Sequence, residues 1–281
     1  MVSTVFKFIG KKIKEYRYHL LFATGAIMVA VAAGVIFVTL QEYNKSKSLY
    51  NETNEEFVSI NEEAKRKVEA IDTIIPEAKE SDTEAQELGW WNEISVDLTG
   101  LEARNSDIIG WLYFENESIS YPILYSGDNI TYLRKTYDGK ASTAGSIFLD
   151  GESTPDFSDP NVLIYGHNMR DLSMFGKLRY YKTDKNYYQD HQYFQIFTQG
   201  KVYRYQIFAY ADVKDNDQIY YAYGPNPDDF DGAVKHILNK SYIKTDLYSE
   251  NDNIVTLSTC TSASDDSRLV ICAVRADEHD L

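Results

Sequence analysis

An uncharged apolar run of 21 residues near the N-terminus, from Leu20 to Leu40, limits the architecture of this chain more than any other feature. A helix of that length crosses ~30 Å of hydrocarbon. The apolar part of a cleaved signal peptide spans only about 7 to 15 residues, although small residues near Ala32 also fit a cleavage site. The run therefore favours a retained transmembrane anchor at 20–40, with a cleaved secretory signal as the alternative.

The charges on either side of this run predict its orientation. Five basic residues and one acidic residue lie within residues 1–19, and acidic residues, beginning with Glu42, follow the run. Because basic flanks stay on the cytoplasmic side, we expect residues 1–19 to form a cytoplasmic tail. Everything after Gln41 is then outside the cell, which predicts a single-pass protein of the cell membrane with an extracellular domain.

The predicted extracellular part is acidic. The formal net charge of the 281-residue chain is -15, a value that already includes the basic N-terminal tail. Nucleic-acid binding depends on clustered Lys and Arg that neutralise phosphates. We therefore expect no nucleic-acid partner and interpret the charge as a solvated acidic surface.

The segment after the anchor, residues 41–88, is rich in Glu, Lys, Asn and Ser. Its apolar residues, from Phe57 onward, recur at intervals of three, four and seven, which predicts an amphipathic helical stalk or linker. Pro76 and the acidic stretch after it end the pattern. We place the boundary near residue 88 and expect one folded domain over 89–281.

This domain has the sequence pattern of a mainly β protein. Short β-branched or aromatic runs alternate with Gly, Pro, Asn and Asp, which predicts about eight strands in a small barrel or sandwich. Helical patterns lie at 129–135, at 172–188 and after Pro227. The last is part of a long segment, 214–250, that is a candidate lid or substrate wall. The strand-like runs are IIGWLYF, SYPILY, SIFLD, NVLIYGH, YFQIFT, VYRYQIFAYADV, NIVTLSTC and RLVICAVR.

The two cysteines, Cys260 and Cys272, lie in neighbouring apolar segments. A disulfide between them is one interpretation, because the outside of a cell is usually oxidising. Spacing alone does not establish the pairing geometry. In the other interpretation Cys272 is a small buried hydrophobe, and Cys260, which precedes the polar run TSASDDS, is a reactive thiol.

Three polar residues stand at the edges of predicted strands and together suit acyl transfer. A barrel or sandwich gathers strand ends at one rim, so Cys260, His167 and Arg268 can meet there. A thiol is a nucleophile as thiolate, a histidine can exchange its proton and later protonate a leaving amine, and an arginine can stabilise an oxyanion. Paired CxxC or HxxxH spacings do not occur in the sequence, so we expect neither a metal nor a cofactor.

Several segments resemble the sortase family. The stretch TLSTCT at 256–261, followed by Arg268, is similar to the sortase active-site signature, and YGHNM at 165–169 is similar to its histidine motif. NSDIIGWLYF, ISYPILYSGDNITYL, GSIFLD and MFGKL resemble class B sortases in order and spacing, over roughly 100–276. The resemblance implies an eight-stranded β-barrel with peripheral helices. It also implies that the segment from Pro227 to Lys240 is a helix beside the substrate groove.

The resemblance further implies a function, that of a cysteine transpeptidase of Gram-positive cell envelopes. Its substrates would be secreted proteins with an NPxTN-like or LPxTG-like sorting signal. The acyl group would pass through a thioacyl intermediate to a peptidoglycan precursor amine or, in pilin-polymerising members, to a pilin lysine. By motif position, Asn129, Leu133 and Ser258 would line the substrate groove.

Two other classes of protein remain as alternatives. An L,D-transpeptidase also uses Cys and His outside the cell, but it has a tight Ser-His-Gly-Cys-x-Arg cluster, whereas here the arginine lies eight residues after Cys260. A membrane-tethered wall-binding module with an inactive site would keep the barrel without the chemistry. Rapid reaction of Cys260 with an electrophile, slowed when His167 is replaced, favours the enzyme.

Overall fold

A computed structural model describes residues 2–62, 89–221, 227–250, 252–261 and 266–281. For residues 2–15, 227–229 and 260 it describes the backbone alone. The chain divides into two compact units, Met1–Lys45 and Ser46–Leu281.

The first unit is part of a single long helix, α1, at Val2–Phe57. Among the described residues, one helical stretch, Tyr16–Phe57, is long and apolar enough to cross a membrane, with a mean hydropathy of 2.5 in its most apolar window. The expected anchor at 20–40 lies inside this stretch. It is a candidate membrane anchor.

The second unit begins with the last turns of α1 and a two-stranded sheet. Strand β1, Val58–Ile60, pairs antiparallel with β2, Ile94–Val96. The sequence pattern predicted that the helix would continue past Phe57. It ends there because the next three residues, two of them β-branched, form a ladder with β2 instead. The remainder of the predicted stalk, 63–88, lies outside the described residues.

The body of the second unit is a closed eight-stranded barrel, which confirms the predicted mainly β fold. The strand order is β10-β8-β7-β3-β4-β5-β6-β9. The β4–β5 and β6–β9 pairs are parallel, and the other adjacent pairs are antiparallel. The strands are β3 Ile108–Phe114, β4 Ser120–Leu124, β5 Ile147–Leu149, β6 Asn161–Tyr165, β7 Tyr193–Thr198, β8 Lys201–Lys214, β9 Ile254–Cys260 and β10 Ser267–Asp280.

Within the described residues, four further α-helices accompany the barrel. They are α2 Leu98–Arg104, α3 Tyr180–Thr183, α4 Tyr187–Asp190 and α5 Pro227–Lys240. The apolar stripe of α5, formed by Phe230, Val234 and Ile237, is buried in the same core cluster as Phe208 of β8 and Val270 of β10. A helix over this segment is what the sequence predicts, because its apolar residues recur at helical spacing.

The other two predicted helices are shorter than the sequence suggested. The pattern at 129–135 gives only a 3₁₀ turn, Thr131–Leu133, because Arg134 leaves the helical region at φ −135° and the Tyr132 carbonyl accepts the Ser146 N–H instead of a helical N–H. The pattern at 172–188 breaks into a 3₁₀ turn at Gly176–Arg179 followed by α3 and α4. Leu172 and Met174 adopt positive φ angles of 68° and 51°, which prevent a helix from starting at 172.

Candidate active site

The strand register aligns the three predicted catalytic residues at one end of the barrel. Cys260, the last residue of β9, is paired directly with Arg268 of β10. On the other side of β9, Tyr165 of β6 is level with Ser258, and the Gly166 N–H donates to the Ser258 carbonyl at 3.2 Å. His167 follows two residues after Tyr165. Continuing the parallel register therefore brings its backbone level with Cys260.

The imidazole of His167 is fixed by a backbone carbonyl. Its Nε2 lies 2.7 Å from the carbonyl oxygen of Leu133. A carbonyl oxygen only accepts hydrogen bonds, so Nε2 carries a proton and Nδ1 is the ring nitrogen left for proton exchange. Burial lowers the pKa of His167, the Leu133 carbonyl opposes this shift, and the nearby positive charge of Arg134 adds to it.

The segment after His167 folds back on the histidine backbone. The N–H groups of Met169 and Phe175 both donate to the His167 carbonyl, at 3.1 and 3.0 Å. The Arg179 guanidinium donates to the carbonyl oxygens of Gly176 and Met169, at 2.6 and 2.5 Å. These bonds hold a loop that contains two unusual positive φ angles, and such strain is common near functional sites.

The guanidinium of Arg268 has an acidic neighbour that the sequence did not reveal. Arg268 Nη2 lies 3.6 Å from a carboxylate oxygen of Asp215, which follows β8. Asp265 and Asp266 are nearer to Arg268 in the sequence. Asp266 pairs with Lys214 at 2.6 Å instead, and Asp265 lies outside the described residues.

A pocket of about 380 Å³ lies beside these residues. It contains side chains from all the predicted groove positions, and it adds aromatic and acidic walls from β5, β6 and the segment after β8. The lining residues are Asn129, Leu133, Phe148, Asp150, Glu152, Tyr165, Gly166, His167, Asp215, Tyr220, Tyr221, Ser258, Thr259 and Arg268.

The three predicted substrate-binding residues contribute to the pocket in different ways. The Asn129 amide is held internally, since its nitrogen donates to Asp150 and its oxygen accepts from the Gly151 N–H, at 2.9 and 2.8 Å. Ser258 is buried, and its hydroxyl lies 2.8 Å from that of Tyr220. The side chain of Leu133 is exposed at the rim of the pocket. Asn129 and Ser258 thus shape the wall, while Leu133 presents an apolar surface.

Sequence reasoning missed several residues of the pocket wall, among them Asp150, Tyr165 and Tyr220. Buried Asp150 accepts hydrogen bonds from Asn129 and from the Tyr165 hydroxyl, both at 2.9 Å. The Tyr165 ring is near parallel to Tyr220, with centroids 6.3 Å apart. A signal for Asp150 was present in the sequence, because this acidic residue directly ends the apolar strand β5, but acidic residues also end many strands in ordinary turns.

Cys272 is a buried free thiol, so the disulfide interpretation is wrong. The register explains why, since Cys272 is opposite Thr256 while Cys260 is opposite Arg268. The two cysteines are thus four ladder positions apart, ~13 Å along the strands, whereas a disulfide requires Cα atoms within about 7 Å. Burial raises the pKa of Cys272 to about 12, which leaves it unreactive.

Known proteins with this combination of fold and residues are sortases. The sortase domain family matches residues 115–276. Sortase B of Listeria monocytogenes is 37% identical over 174 residues, covering 62% of this chain and 70% of that protein. Sortase B of Staphylococcus aureus is 29% identical over 176 residues, covering 62% of this chain and 72% of that protein.

The fold agrees with this relationship. The crystal structure of sortase B from Bacillus anthracis superposes with a TM-score of 0.63 at 25% identity, covering 84% of this chain and 98% of that one. The family match covers more than half of the 281 residues, and the curated relatives are class B sortases. This chain belongs to the sortase family of cysteine transpeptidases, in its class B branch.

Proposed function

We propose that Cys260, His167 and Arg268 form the catalytic centre of a transpeptidase that joins secreted proteins to the cell wall. The observation that carries this proposal is the register across β6, β9 and β10, which aligns the three backbones at one end of the barrel. Alternate residues of a strand share a face. Cys260 therefore shares the face of Ser258, whose side chain lines the pocket.

In the first step the Cys260 thiolate attacks the carbonyl carbon of the amide that follows Thr in a sorting signal. A C–S bond forms, and the carbonyl π electrons move to oxygen. Arg268 stabilises that oxyanion with its planar set of N–H donors. When the carbonyl re-forms, the C–N bond breaks, and His167 delivers the proton from Nδ1 to the departing amine. A thioacyl-enzyme and a free C-terminal fragment result.

In the second step an amine attacks the thioester carbonyl. His167, now neutral at Nδ1, accepts a proton from the attacking nitrogen, and the Cys260 thiolate leaves with the C–S electrons. The product is an amide between the secreted protein and the incoming amine. The expected amine belongs to a peptidoglycan precursor, and the expected sorting signal is NPxTN-like or LPxTG-like.

The ionisation of the pair sets how much enzyme is ready to react. An ordinary thiol has a pKa of ~8.5, while burial moves the pKa of His167 below its usual ~6.5. Because the pKa of His167 is lowered below that of an ordinary thiol, the form that carries thiolate and imidazolium together is the minor one. The rest carries a neutral pair.

We also propose the topology that the sequence predicts. Residues 20–40 would span the cell membrane, residues 1–19 would be cytoplasmic, and the barrel would be extracellular, where sorting signals and wall precursors meet. The domain boundary near residue 88 stays a prediction, because 63–88 lie outside the described residues. The packing of Ser46 to Ile60 within the second unit suggests that the catalytic domain begins earlier.

A turnover assay tests this function. Full-length protein in detergent is incubated with peptides carrying NPxTN-like and LPxTG-like signals, with or without a peptidoglycan-derived amine. We expect one peptide class to give an amide product that depends on the amine and disappears in Cys260→Ala and His167→Ala. Binding without cleavage of any peptide would instead favour the wall-binding module.

A further inference from the structure

Tyr50, near the end of α1, has a buried hydroxyl that catalysis as proposed does not use. Its side chain is 3% exposed and lies between the rings of Tyr121 and Tyr137, with centroid distances of 5.3 and 6.0 Å. The hydroxyl donates to the Gly145 carbonyl oxygen at 2.9 Å and lies 3.0 Å from the Ser146 hydroxyl. These two contacts of the hydroxyl both fall on one short segment before β5.

That segment packs directly on the peptide group of Leu133. Gly145 has a φ of +61°, and a Cβ at this position would lie 2.7 Å from the Leu133 carbonyl oxygen and 2.8 Å from that of Tyr132. The Ser146 N–H donates to Tyr132 O at 3.0 Å, and the Ser146 hydroxyl donates to Lys135 O at 2.8 Å. Ser146 therefore bonds to the chain on both sides of Leu133, and Gly145 packs closely against the Leu133 carbonyl.

The Leu133 carbonyl is the group that fixes Nε2 of His167 at 2.7 Å. We propose that Tyr50 is a positioning residue for His167, acting through Gly145 and Ser146 to hold the Leu133 carbonyl in place. This inference rests on the proposed role of His167. Hydrogen bonds and one close glycine contact thus connect α1, the helix that precedes the barrel, to the imidazole of His167.

The Leu133 carbonyl also has a support that does not involve Tyr50. The Asp128 carboxylate accepts the Ile130 and Thr131 N–H groups, at 2.8 and 2.6 Å, and so holds the N-terminal side of the same turn. Removal of the Tyr50 hydroxyl alone should therefore loosen the carbonyl without displacing it. We expect a graded effect on catalysis rather than its loss.

The direction of the effect follows from the hydrogen bond. An acceptor on Nε2 stabilises the imidazolium, so a looser Leu133 carbonyl lowers the pKa of His167 further. The fraction of enzyme with thiolate and imidazolium together then falls. The variants leave the other titratable groups around the imidazole unchanged, namely Arg134, Asp150, Glu152, Asp215, Arg268 and the phenols of Tyr165 and Tyr220.

The test compares Tyr50→Phe and Ser146→Ala with Asn54→Ala in the full-length protein in detergent. Tyr50→Phe keeps the ring and removes the hydroxyl, and Ser146→Ala removes a hydroxyl that Tyr50 contacts. Asn54, one turn later on α1, donates to the Ser120 carbonyl at the start of β4 and to the Tyr50 backbone carbonyl, both at 2.9 Å, and does not contact the Tyr50 hydroxyl. This control removes a bond from the same helix that does not reach Leu133.

For Tyr50→Phe and Ser146→Ala we expect the acid limb of kcat/KM to move down by about 0.5 pH unit. Turnover at the optimum should fall about threefold, with KM nearly unchanged. Alkylation of Cys260 by iodoacetamide should show the same pH shift. Asn54→Ala should lower the melting temperature without moving either profile.

Two outcomes would count against different claims. Unshifted profiles in both Tyr50→Phe and Ser146→Ala, with thermal destabilisation like that of Asn54→Ala, would reduce Tyr50 to a purely structural residue and overturn this inference. Full turnover in His167→Ala would instead overturn the proposed function itself.

Discussion

His167 Nε2 donates a 2.7 Å hydrogen bond to the Leu133 carbonyl, and this single contact leaves Nδ1 as the ring nitrogen for the proton exchange that we propose with Cys260. Leu133 is 34 residues earlier in the chain and reaches the histidine through the turn at Thr131–Leu133. The sequence offered Leu133 only as a candidate groove residue. Its backbone carbonyl orients the imidazole, while its side chain forms part of the rim of the pocket.

We predict a bell-shaped pH profile of kcat/KM. Burial lowers the pKa of His167, so the acid limb should lie below the ordinary histidine value of ~6.5, and the alkaline limb should follow the second proton of the coupled pair. Activity is lost at low pH because the thiolate takes up a proton, and at high pH because the imidazolium loses one. Steady-state assays from pH 5 to 10 check this, and a rate that rises without limit to pH 10 would disprove the paired mechanism.

Arg268→Lys should lower kcat by a factor on the order of 10²–10³ and change KM little. An ammonium carries the charge but lacks the planar donor set that an oxyanion requires. Arg275→Lys is the matched control, because Arg275 lies on the same strand but stacks over Tyr203, with its guanidinium carbon 4.5 Å from the ring centroid. Near-normal turnover in Arg268→Lys would remove Arg268 from the oxyanion role.

Much of the fold could be predicted from sequence because strand runs and turn residues are local signals. The eight strand-like runs correspond to the eight strands of the barrel, and α5 follows from the spacing of Phe230, Val234 and Ile237. The end of α1 at Phe57 could not be predicted. It depends on pairing with β2, more than thirty residues away, and a helical pattern contains no information about such a partner.

The residues of the candidate site could likewise be predicted only in part. Cys260, His167 and Arg268 could be selected because their residue types suit one reaction and each stands at a strand edge. The Asp215 partner of Arg268 and the Asp150 network of Asn129 and Tyr165 could not, because each joins segments that are separated in the sequence. The separation of Cys260 from Cys272 follows from the strand register, which spacing alone does not give.

Gly166→Ala should impair both stability and turnover. A Cβ at Gly166 would lie 2.5 Å from Ile147 Cδ1 and 2.6 Å from the Phe175 ring, so these side chains or the backbone next to His167 must shift. We expect a loss of about 1–3 kcal/mol in the free energy of unfolding, together with a reduced kcat. Gly232→Ala on α5 is the control, since a Cβ there meets nothing within 4 Å and helix propensity favours Ala by about 1 kcal/mol.

Urea unfolding and steady-state kinetics measure the two effects of Gly166→Ala. Gly232→Ala should be neutral or stabilising with normal kcat. Wild-type stability and kcat in Gly166→Ala would show that the close packing around Gly166 does not hold His167 in place.

A soluble form that starts at residue 46 should be more stable than one that starts at residue 89. The segment Ser46–Phe57 belongs to the second unit, where the side chains of Tyr50, Thr53 and Phe57 are buried. Each large apolar side chain contributes about 1.5–3 kcal/mol, and β2 loses its partner strand when β1 is removed. Urea unfolding of the two forms decides the point, and equal midpoints would show that this segment is a dispensable linker.

The central claim is that Cys260 forms a thioacyl bond with a sorting signal, and intact-mass spectrometry tests it most directly. Full-length protein is mixed with a reactive sorting peptide and quenched in acid, in parallel with Cys260→Ala and Cys272→Ala. We predict an adduct whose mass matches the peptide up to its Thr in the wild type and in Cys272→Ala, and none in Cys260→Ala. An adduct that persists in Cys260→Ala, or no adduct with any NPxTN-like or LPxTG-like peptide, would contradict the account.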